Sequence, residues 1–200
     1  MLNIYLLRHG ESEYNADGNR YCGRTDAGLT EKGKQQAELV AKQLQHIHFD
    51  RVYSSPLTRA RLTAEIAANS TTIVTDERLV EIDFGKWEGK TREQFTAEYP
   101  ENWKNWMDNP AFTKAGETGE TAEEVVKRVD DFYQSLQKEH PAGNILIVAH
   151  NGINRLYLAY KLGMNLKDYR KIIQENSSVT LFELDETGEL SLKLLNSKCL

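Results

Sequence analysis

Short apolar runs alternate with amphipathic segments along most of the chain. The runs that predict strands cover residues 2–7, 51–54, 71–75 and 144–149. The segments that predict helices, because apolar residues recur at helical spacing, cover residues 29–45, 56–68, 121–139 and 150–160. Strands that alternate with helices predict an α/β fold, namely a three-layer α/β/α sandwich with a mostly parallel sheet. Two closing runs, 178–184 and 190–195, predict a hairpin that adds an antiparallel edge.

The pattern loosens between residues 84 and 118, where glycines and prolines interrupt short helical pieces. We expect this stretch to leave the main sheet and to form a small helical lid over the ligand site. Trp103 and Trp106 stand at helical-turn spacing within it, which is more typical of packing than of a stacking platform. Because 200 residues suit one domain, we expect the excursion to belong to a single domain of residues 1–200.

Charge and cysteine content narrow the class of protein. A formal net charge of −5 argues against general nucleic-acid binding, but it permits a small anionic ligand held by a local cluster of arginines. Two cysteines, Cys22 and Cys199, are too few for a disulfide scaffold and fit a reduced compartment. No apolar stretch of the sequence approaches membrane-spanning length. We therefore expect a cytoplasmic protein with no membrane or nucleic-acid partner, as a monomer or a homodimer.

Polar side chains with catalytic potential follow the predicted strands where those strands end. In chain order they are Arg8 with His9, then Arg59, Glu81 and His150. Because the C-terminal ends of parallel strands share one edge of a sheet, where open α/β sheets bind ligands, we expect these side chains to converge. One Arg–His pair is a weak signal, and a strand-ending histidine is more often structural. The joint pattern across separate α/β segments favours a functional site.

Each of these residue types has a role in phosphoryl transfer. The guanidinium forks of Arg8 and Arg59 match phosphate oxygens. A neutral His9 beside these cations can attack phosphorus and form a phosphohistidine. His150 can donate to the equatorial oxygens as their charge grows, and Glu81 can protonate the leaving oxygen and then deprotonate the attacking water. The backbone amides that open the helices after Arg59 and His150 are further candidate donors.

At these residues the sequence resembles the histidine phosphatase superfamily, also called phosphoglycerate-mutase-like. The resemblance spans nearly the whole chain and follows residues 7–15, 23–33, 54–60, 81–89 and 149–150. It implies a phosphohistidine mechanism without a metal ion or organic cofactor. The catalytic residues that it implies are His9 as nucleophile, Glu81 as acid and base, and Arg8, Arg59 and His150 in the phosphate pocket. Asn151 stands where many relatives have glycine, which implies either a contact to substrate or, as the favoured role, a cap on the following helix.

Three activities are compatible with such a pocket, and hydrolysis of a small phosphomonoester is favoured. A phosphoglycerate mutase would need further cations for a doubly phosphorylated intermediate, and residues 84–118 offer only scattered ones. A phospho-ligand-binding module with little turnover would need neither His9 nor Glu81. Within the phosphatase branch, the segment around Trp87 is similar to α-ribazole phosphatases and broad-specificity phosphatases. The residues expected to contact the substrate are Asn15, Tyr21, Cys22, Phe84, Arg92 and Asn151.

Overall fold

The computed structural model describes residues 1–70 and 72–198, and within them it contains a six-stranded sheet. The strands are β1 (Leu2–Arg8), β2 (Arg51–Ser54), β3 (Val74–Thr75), β4 (Gly143–Ala149), β5 (Val179–Leu184) and β6 (Leu190–Ser197). Their order across the sheet is β3-β2-β4-β1-β5-β6. Strands β3, β2, β4 and β1 pair in parallel, whereas β5 pairs antiparallel with β1 and with β6. The predicted mostly parallel sheet with an antiparallel edge is therefore confirmed.

Four helices follow the amphipathic segments of the sequence, and the other described helices lie in the loop after β1 and in the excursion. The helices are α1 (Glu13–Ala16), α2 (Glu31–Leu44), α3 (Thr58–Ala68), α4 (Arg92–Glu98), α5 (Pro100–Asp108), α6 (Ala122–Glu139) and α7 (Asn151–Lys161). Short 3-10 turns occur at Glu77–Leu79, Gly85–Trp87, Ala115–Glu117 and Leu166–Lys171. Thr30 caps α2 by accepting from the amide of Gly33, and Thr121 forms a capping box with Glu124 at the start of α6. Thr71, in a predicted strand, and Cys199, one of the two cysteines, lie outside the described residues.

Apolar side chains of the central strands bury alternately on the two faces of the sheet. Leu2, Ile4 and Leu6 of β1 join a core that includes apolar residues of α6 and α7. Leu7, on the opposite face, joins a second core with apolar residues of α2 and α3. Alternation along a strand sends successive side chains to opposite faces, so helices cover both. This packing confirms the three-layer α/β/α arrangement.

Residues 84–118 form the expected helical excursion, in which α4 and α5 lie. Its tryptophans pack against one another and against Phe95: the ring of Trp87 is fully buried and stacks on Phe95 with the centroids 4.8 Å apart. Trp106 is buried as well, and its ring meets Trp87 edge to face. The movement of this excursion as a lid stays a prediction. Among the described residues, no helix combines the length and the apolar character that a membrane crossing requires.

Candidate active site

The parallel pairing of β1 with β4 places two histidines side by side at one edge of the sheet. Arg8, the last residue of β1, lies opposite Ala149, the last residue of β4, so the next residues along the chain are neighbours. The amide of His9 donates to the carbonyl of Ala149 at 3.0 Å. The imidazole rings of His9 and His150 lie with their centroids 5.2 Å apart. Strand register alone therefore joins residues that are far apart in the sequence.

Two glycines allow the loop after β1 to pack directly against the first turn of α2. A Cβ atom at Gly10 would lie 2.3 Å from the carbonyl oxygen of Gly33, and one at Gly33 would lie 2.1 Å from that of Glu11. The amide of Gly10 donates to the hydroxyl of Thr63 on α3 at 3.0 Å. The loop that carries His9 is thus held by backbone packing that no other residue type permits.

The hydrogen bonding of His9 leaves its Nε2 atom available as a nucleophile. Its Nδ1 atom lies 2.7 Å from the carbonyl oxygen of Gly10. Because a carbonyl only accepts, Nδ1 carries the proton and Nε2 of the neutral ring bears the lone pair. Burial, followed by the cations of Arg59 and Arg8, holds the pKa of His9 well below its ordinary value of 6.5.

His150 is the fully buried partner of His9. Its Nε2 atom lies 2.8 Å from the hydroxyl of Ser55, while its Nδ1 atom has no hydrogen-bond partner among the described residues. Burial, then Arg59 and His9, lowers its pKa far below 6.5. His150 is not among the residues that line the cavity described below, and its ring packs against the ring of His9.

We expect both histidines to stay neutral when the pH is lowered from about 8 to about 5, where ordinary histidines gain a proton. In the unfolded chain both histidines bind protons near the ordinary histidine pKa of about 6.5, whereas in the folded chain they do not. The free energy of unfolding should therefore fall as the pH drops below about 6.5. Heteronuclear NMR titration of ¹⁵N-histidine, assigned with His9→Asn and His150→Asn variants, measures the ring states, and urea-unfolded protein is the control. Titration of either ring near the value of the unfolded control would contradict the expectation.

Arg8 and Arg59 are the two cations that act on His9, but they are bound differently. One terminal nitrogen of Arg8 donates to the carbonyl of Gln174 at 3.1 Å, and burial lowers the pKa of Arg8 to about 10, so the group stays cationic at neutral pH. Arg59 is fully buried, and its terminal nitrogens donate to backbone carbonyls of Thr25 at 2.7 Å and Gly23 at 2.9 Å. The Nε atoms of both arginines are buried without a partner in the described part of the chain.

The hydrogen bonds of Arg59 differ from the sequence-based expectation of a bidentate fork on phosphate. The carbonyls of the loop that contains Gly23 need donors, and the terminal nitrogens of Arg59 supply them. Arg59 therefore orders this loop, and its charge acts on His9. It is not among the residues that line the cavity.

The carboxylate of Glu81 is fixed at the N-terminus of α7. It accepts from the amides of Gly152 at 2.9 Å and Ile153 at 3.1 Å, and also from the amide of Ile82 at 2.9 Å. A Cβ atom at Gly152 would lie 2.6 Å from the carboxylate, so a glycine is required for this approach. The amides that the sequence analysis assigned to phosphate thus bind Glu81. Donors at a helix N-terminus suit a carboxylate as well as they suit a phosphate.

Arg8, His9 and Glu81 line a cavity of about 300 Å³. The predicted residues that line it are Arg8, His9, Asn15, Tyr21, Cys22, Glu81, Phe84, Arg92 and Asn151. The lining residues that the sequence analysis did not single out are Ser12, Gly18, Asn19, Arg20, Gly152, Arg155, Tyr169 and Arg170. Within the described chain, only Phe84 and Arg92 of the excursion line the cavity, so the segments around residues 15–22 and 169–170 form more of its wall than expected.

Two of the predicted substrate contacts have structural partners of their own. The side-chain oxygen of Asn15 accepts from the amide of Ser12 at 3.1 Å and from the side chain of Asn176 at 3.2 Å, which orders the loop beside His9. The thiol of Cys22 lies 3.4 Å from the carbonyl of Thr25, and burial raises its pKa to about 11. Cys22 therefore stays a protonated thiol at neutral pH and adds no nucleophile to the site.

The favoured cap at Asn151 is wrong. His150 is the N-cap residue of α7, no side chain of the described residues caps this helix end, and Asn151 is already the first helical residue. Since Glu81 accepts the free amides of Gly152 and Ile153, the helix start has no need of an asparagine cap. The side-chain oxygen of Asn151 has no partner among the described residues, and Asn151 lines the cavity.

Three arginines outside the excursion were missed, namely Arg20, Arg155 and Arg170. Arg155 lies one helical turn after Asn151, so helical periodicity from Asn151 would have placed it on the same face. Arg170 lies in the 3-10 turn before β5, where no periodic signal marks it. As for metal ligands, no group of three or more His, Cys, Asp or Glu side chains that could hold an ion occurs within residues 1–70 and 72–198.

Comparisons with known proteins identify the family of this chain. Residues 4–198 match the family described as "Histidine phosphatase superfamily (branch 1)". Phosphoserine phosphatase 1 of Hydrogenobacter thermophilus is 36% identical over 196 residues, 97% of this chain and 92% of that protein. The crystal structure of Entamoeba histolytica phosphoserine phosphatase with 3-phosphoglyceric acid has a TM-score of 0.89 at 32% identity, covering 99% of this chain and 98% of that one.

A second solved structure, the α-ribazole phosphatase of Shigella flexneri, has a TM-score of 0.87 at 28% identity and covers 100% of this chain and 98% of that one. Both structures are similar to this chain along its whole length. The family match, the fold and the full-length relatives all indicate the same family. The chain belongs to the histidine phosphatase superfamily, branch 1, and is a phosphatase of small phosphorylated metabolites.

Proposed function

We propose that this protein hydrolyses phosphomonoesters through a phosphohistidine intermediate on Nε2 of His9. The observation that carries the proposal is the distance of 2.7 Å between Nδ1 of His9 and the carbonyl oxygen of Gly10, from which we infer that Nδ1 holds the proton and Nε2 the lone pair. The cation of Arg8 and the carboxyl group of Glu81 share the cavity with this atom. A nucleophile, a phosphate-binding charge and a proton carrier are the parts that such a reaction needs.

In the first step, Nε2 of His9 bonds to phosphorus as the bond from phosphorus to the ester oxygen breaks. The protonated carboxyl group of Glu81 gives its proton to that oxygen, and the alcohol leaves. In the second step, water attacks phosphorus in line, Glu81 takes a proton from the water, and the bond to His9 breaks to release phosphate. Glu81 ends protonated and His9 neutral, so both groups return to their initial states.

The surrounding charges stabilise the phosphoryl group as it transfers. Arg8 lines the cavity and presents its guanidinium to the phosphate oxygens. Arg59 and His150 do not line the cavity, so they act on the phosphoryl group from a greater distance: Arg59 adds a positive charge close to His9, and the ring of His150 packs against that of His9. Fixed donors in a dry site stabilise developing charge at little reorganisation cost.

Two relatives named for different substrates, phosphoserine and α-ribazole phosphate, support a small phosphorylated metabolite as the substrate. Mutase-type transfer is the second candidate, since Arg155 and Arg170 add cations to the cavity that residues 84–118 alone do not provide. The resemblance to phosphoglycerate-mutase-like proteins is compatible with both activities.

Incubation with 3-phosphoglycerate, with and without a bisphosphoglycerate primer, separates the candidates by ³¹P NMR. We expect stoichiometric inorganic phosphate and no dependence on the primer. Primer-dependent 2-phosphoglycerate with little phosphate would favour the mutase. A protein that binds phosphomonoesters but releases no phosphate from p-nitrophenyl phosphate in EDTA at any pH between about 5 and 8 would be a binding module.

A further inference from the structure

The segment that carries Glu81 has little regular structure of its own. Residues 80–83, all within the described chain, lie in neither a helix nor a strand. We propose that Arg128, oriented by Glu120, is a positioning residue for Glu81: it fixes the peptide next to the acid and so determines which carboxylate oxygen carries the proton. This inference rests on the acid–base role of Glu81 proposed above, and it adds the residues of another segment on which that role depends.

Arg128, on α6, supplies donors to three carbonyls of this segment. One of its terminal nitrogens donates to the carbonyls of Arg78 at 2.7 Å and Val80 at 2.8 Å, and the other donates to that of Glu81 at 3.3 Å. Val80 and Glu81 are buried, and buried carbonyls outside a helix or a sheet need such donors. A single side chain of α6 therefore sets the path of the backbone into Glu81.

Glu120 holds the guanidinium of Arg128 and binds the same segment beyond Glu81. Its carboxylate accepts from Nε of Arg128 at 2.8 Å and from a terminal nitrogen at 3.0 Å. It also accepts from the amide of Asp83 at 2.8 Å, and the amide of Glu120 donates to the carbonyl of Asp83 at 2.9 Å. A Cβ atom at Gly119 would lie 2.0 Å from that carbonyl oxygen, so the two segments pack backbone to backbone. The pair thus binds the backbone on both sides of Glu81.

The ion pair of Glu120 with Arg128 is mostly buried, with 18% and 17% of the two side chains exposed. Burial would raise the pKa of Glu120, but the bonds from Arg128 and from the amide of Asp83 outweigh this effect and hold the pKa below its ordinary value. The carboxylate is therefore ionised at neutral pH. Because the desolvation of two charges offsets most of their attraction, such a pair contributes little net stability, and its main effect is to fix a geometry.

The peptide between Glu81 and Ile82 connects Arg128 to the acid. Its carbonyl accepts from Arg128, and its amide donates to Oε1 of Glu81 at 2.9 Å. Because the carbonyl and the amide of a trans peptide point in opposite directions from one rigid plane, the bond on one side orients the bond on the other. Oε1 also accepts from the amide of Ile153 at 3.1 Å, whereas among the described residues Oε2 accepts only from the amide of Gly152, at 2.9 Å. Oε2 therefore has the freer lone pairs and is the oxygen that passes the proton.

Helix α6 is a rigid support for this arrangement. Its apolar residues are buried in the core, and the capping box of Thr121 fixes its first turn next to Glu120. Without Arg128, the peptide that precedes Ile82 can turn and leave Oε1 free, so the proton is no longer held at one oxygen. A displacement of about 1 Å at a reacting group can cost on the order of 100-fold in rate. The loss of Arg128 should therefore affect the step that needs an acid.

Two phosphomonoesters with unlike leaving groups test the proposal. Benzyl phosphate releases an alcohol that needs a proton, whereas p-nitrophenyl phosphate releases nitrophenolate without one. We expect Arg128→Met to lower kcat/KM by about 10- to 100-fold for benzyl phosphate and by less than about threefold for p-nitrophenyl phosphate. Arg78→Met is the matched control, because Arg78 joins the same segment to α6 through Asp131 and Ser135. It should leave the ratio of the two kcat/KM values within about twofold of wild type.

A double-mutant cycle separates positioning from a general loss of structure. In the Glu81→Gln background, Arg128→Met should lower kcat/KM for benzyl phosphate by no more than about twofold further, since an absent acid cannot be misplaced. A further loss of about tenfold or more, equal losses or none on the two substrates, or the same substrate-dependent loss in Arg78→Met would overturn the proposal. If Arg128→Met does not fold, Glu120→Gln/Arg128→Met removes both buried charges together and has the same expected results.

Amide hydrogen exchange separates the failure of this proposal from the failure of the proposed function, because it needs no turnover. We expect the amide of Ile82 to exchange at least about tenfold faster in Arg128→Met than in the wild type, while the amides of β4 keep their wild-type rates. Unchanged exchange at Ile82 would overturn the positioning role even if Glu81→Gln identifies Glu81 as the acid. Faster exchange at Ile82, together with full activity of Glu81→Gln on benzyl phosphate, would support the fixing of this peptide by Arg128 and overturn the proposed role of Glu81 instead.

Discussion

His9→Ala is expected to lower kcat by about 10⁵-fold or more, the scale on which removal of a nucleophile acts in other covalent enzymes. The variant has no atom that can form the covalent intermediate, and the remaining phosphate-binding groups do not replace it. Steady-state phosphate release from p-nitrophenyl phosphate measures the effect. Substrate affinity should change little, because Arg8 and the other cationic groups remain, and calorimetric titration with phosphate measures that separately.

Two controls distinguish a chemical loss from a structural one. His46→Ala removes an exposed imidazole far along the sequence, and its kcat should stay within about twofold of wild type. His9→Ala should retain the cooperative thermal unfolding of the wild type, since the neighbouring loop is held by the contact of Gly10 with Gly33. A folded His9→Ala protein with wild-type kcat would contradict the covalent mechanism.

Glu81→Gln is expected to lower kcat by about 10²- to 10⁴-fold for substrates with an alcohol leaving group, the contribution typical of a positioned acid or base. Glutamine has nearly the shape of glutamate, and with its oxygen in the place of Oε1 it still accepts from the amides of Ile82 and Ile153. It carries no proton that can pass to the ester oxygen, and it cannot accept one from water. The second step, attack of water, should therefore slow for every substrate, and the first step should slow as well when the leaving alcohol is a poor one.

p-Nitrophenyl phosphate separates the two roles of Glu81. Nitrophenolate leaves without protonation, so the first turnover of Glu81→Gln should release nitrophenol within about tenfold of the wild-type rate, as a burst before a slow steady state. Stopped-flow absorbance records both phases. Glu88→Gln is the matched carboxylate control, since Glu88 binds the amides of Gly23 and Thr25 and does not line the cavity. Equal slowing of burst and steady state, or none, would remove Glu81 from the acid–base role.

The fold could be predicted from the sequence because burial and periodicity are local signals. Unbroken apolar runs gave β1 and β4, and capping residues such as Thr30 and Thr121 marked helix starts within a residue. Parallel strands share one edge, so the proximity of His9 and His150 also followed from topology. These expectations needed only the direction of the strands.

Hydrogen-bond partners could not be predicted, because they depend on which donors and acceptors a folded loop leaves free. The carbonyls that Arg59 binds belong to a loop more than 30 residues away in sequence. The amides of Gly152 and Ile153 bind Glu81 for a similar reason, since its segment reaches the start of α7 only in the folded chain. Arg170 enters the cavity from an irregular turn, where no periodicity exists to reveal it.

The covalent intermediate can be tested most directly by rapid chemical quench of Glu81→Gln mixed with p-nitrophenyl phosphate, followed by tandem mass spectrometry under alkaline conditions. Phosphorylation should be fast in this variant and hydrolysis of the intermediate slow. We predict that nearly one phosphoryl group per protein accumulates during the nitrophenol burst, attached to the peptide that contains His9 and lost on mild acid treatment. Release of nitrophenol with no phosphorylated protein at any time, or with the phosphoryl group on another residue, would contradict the account.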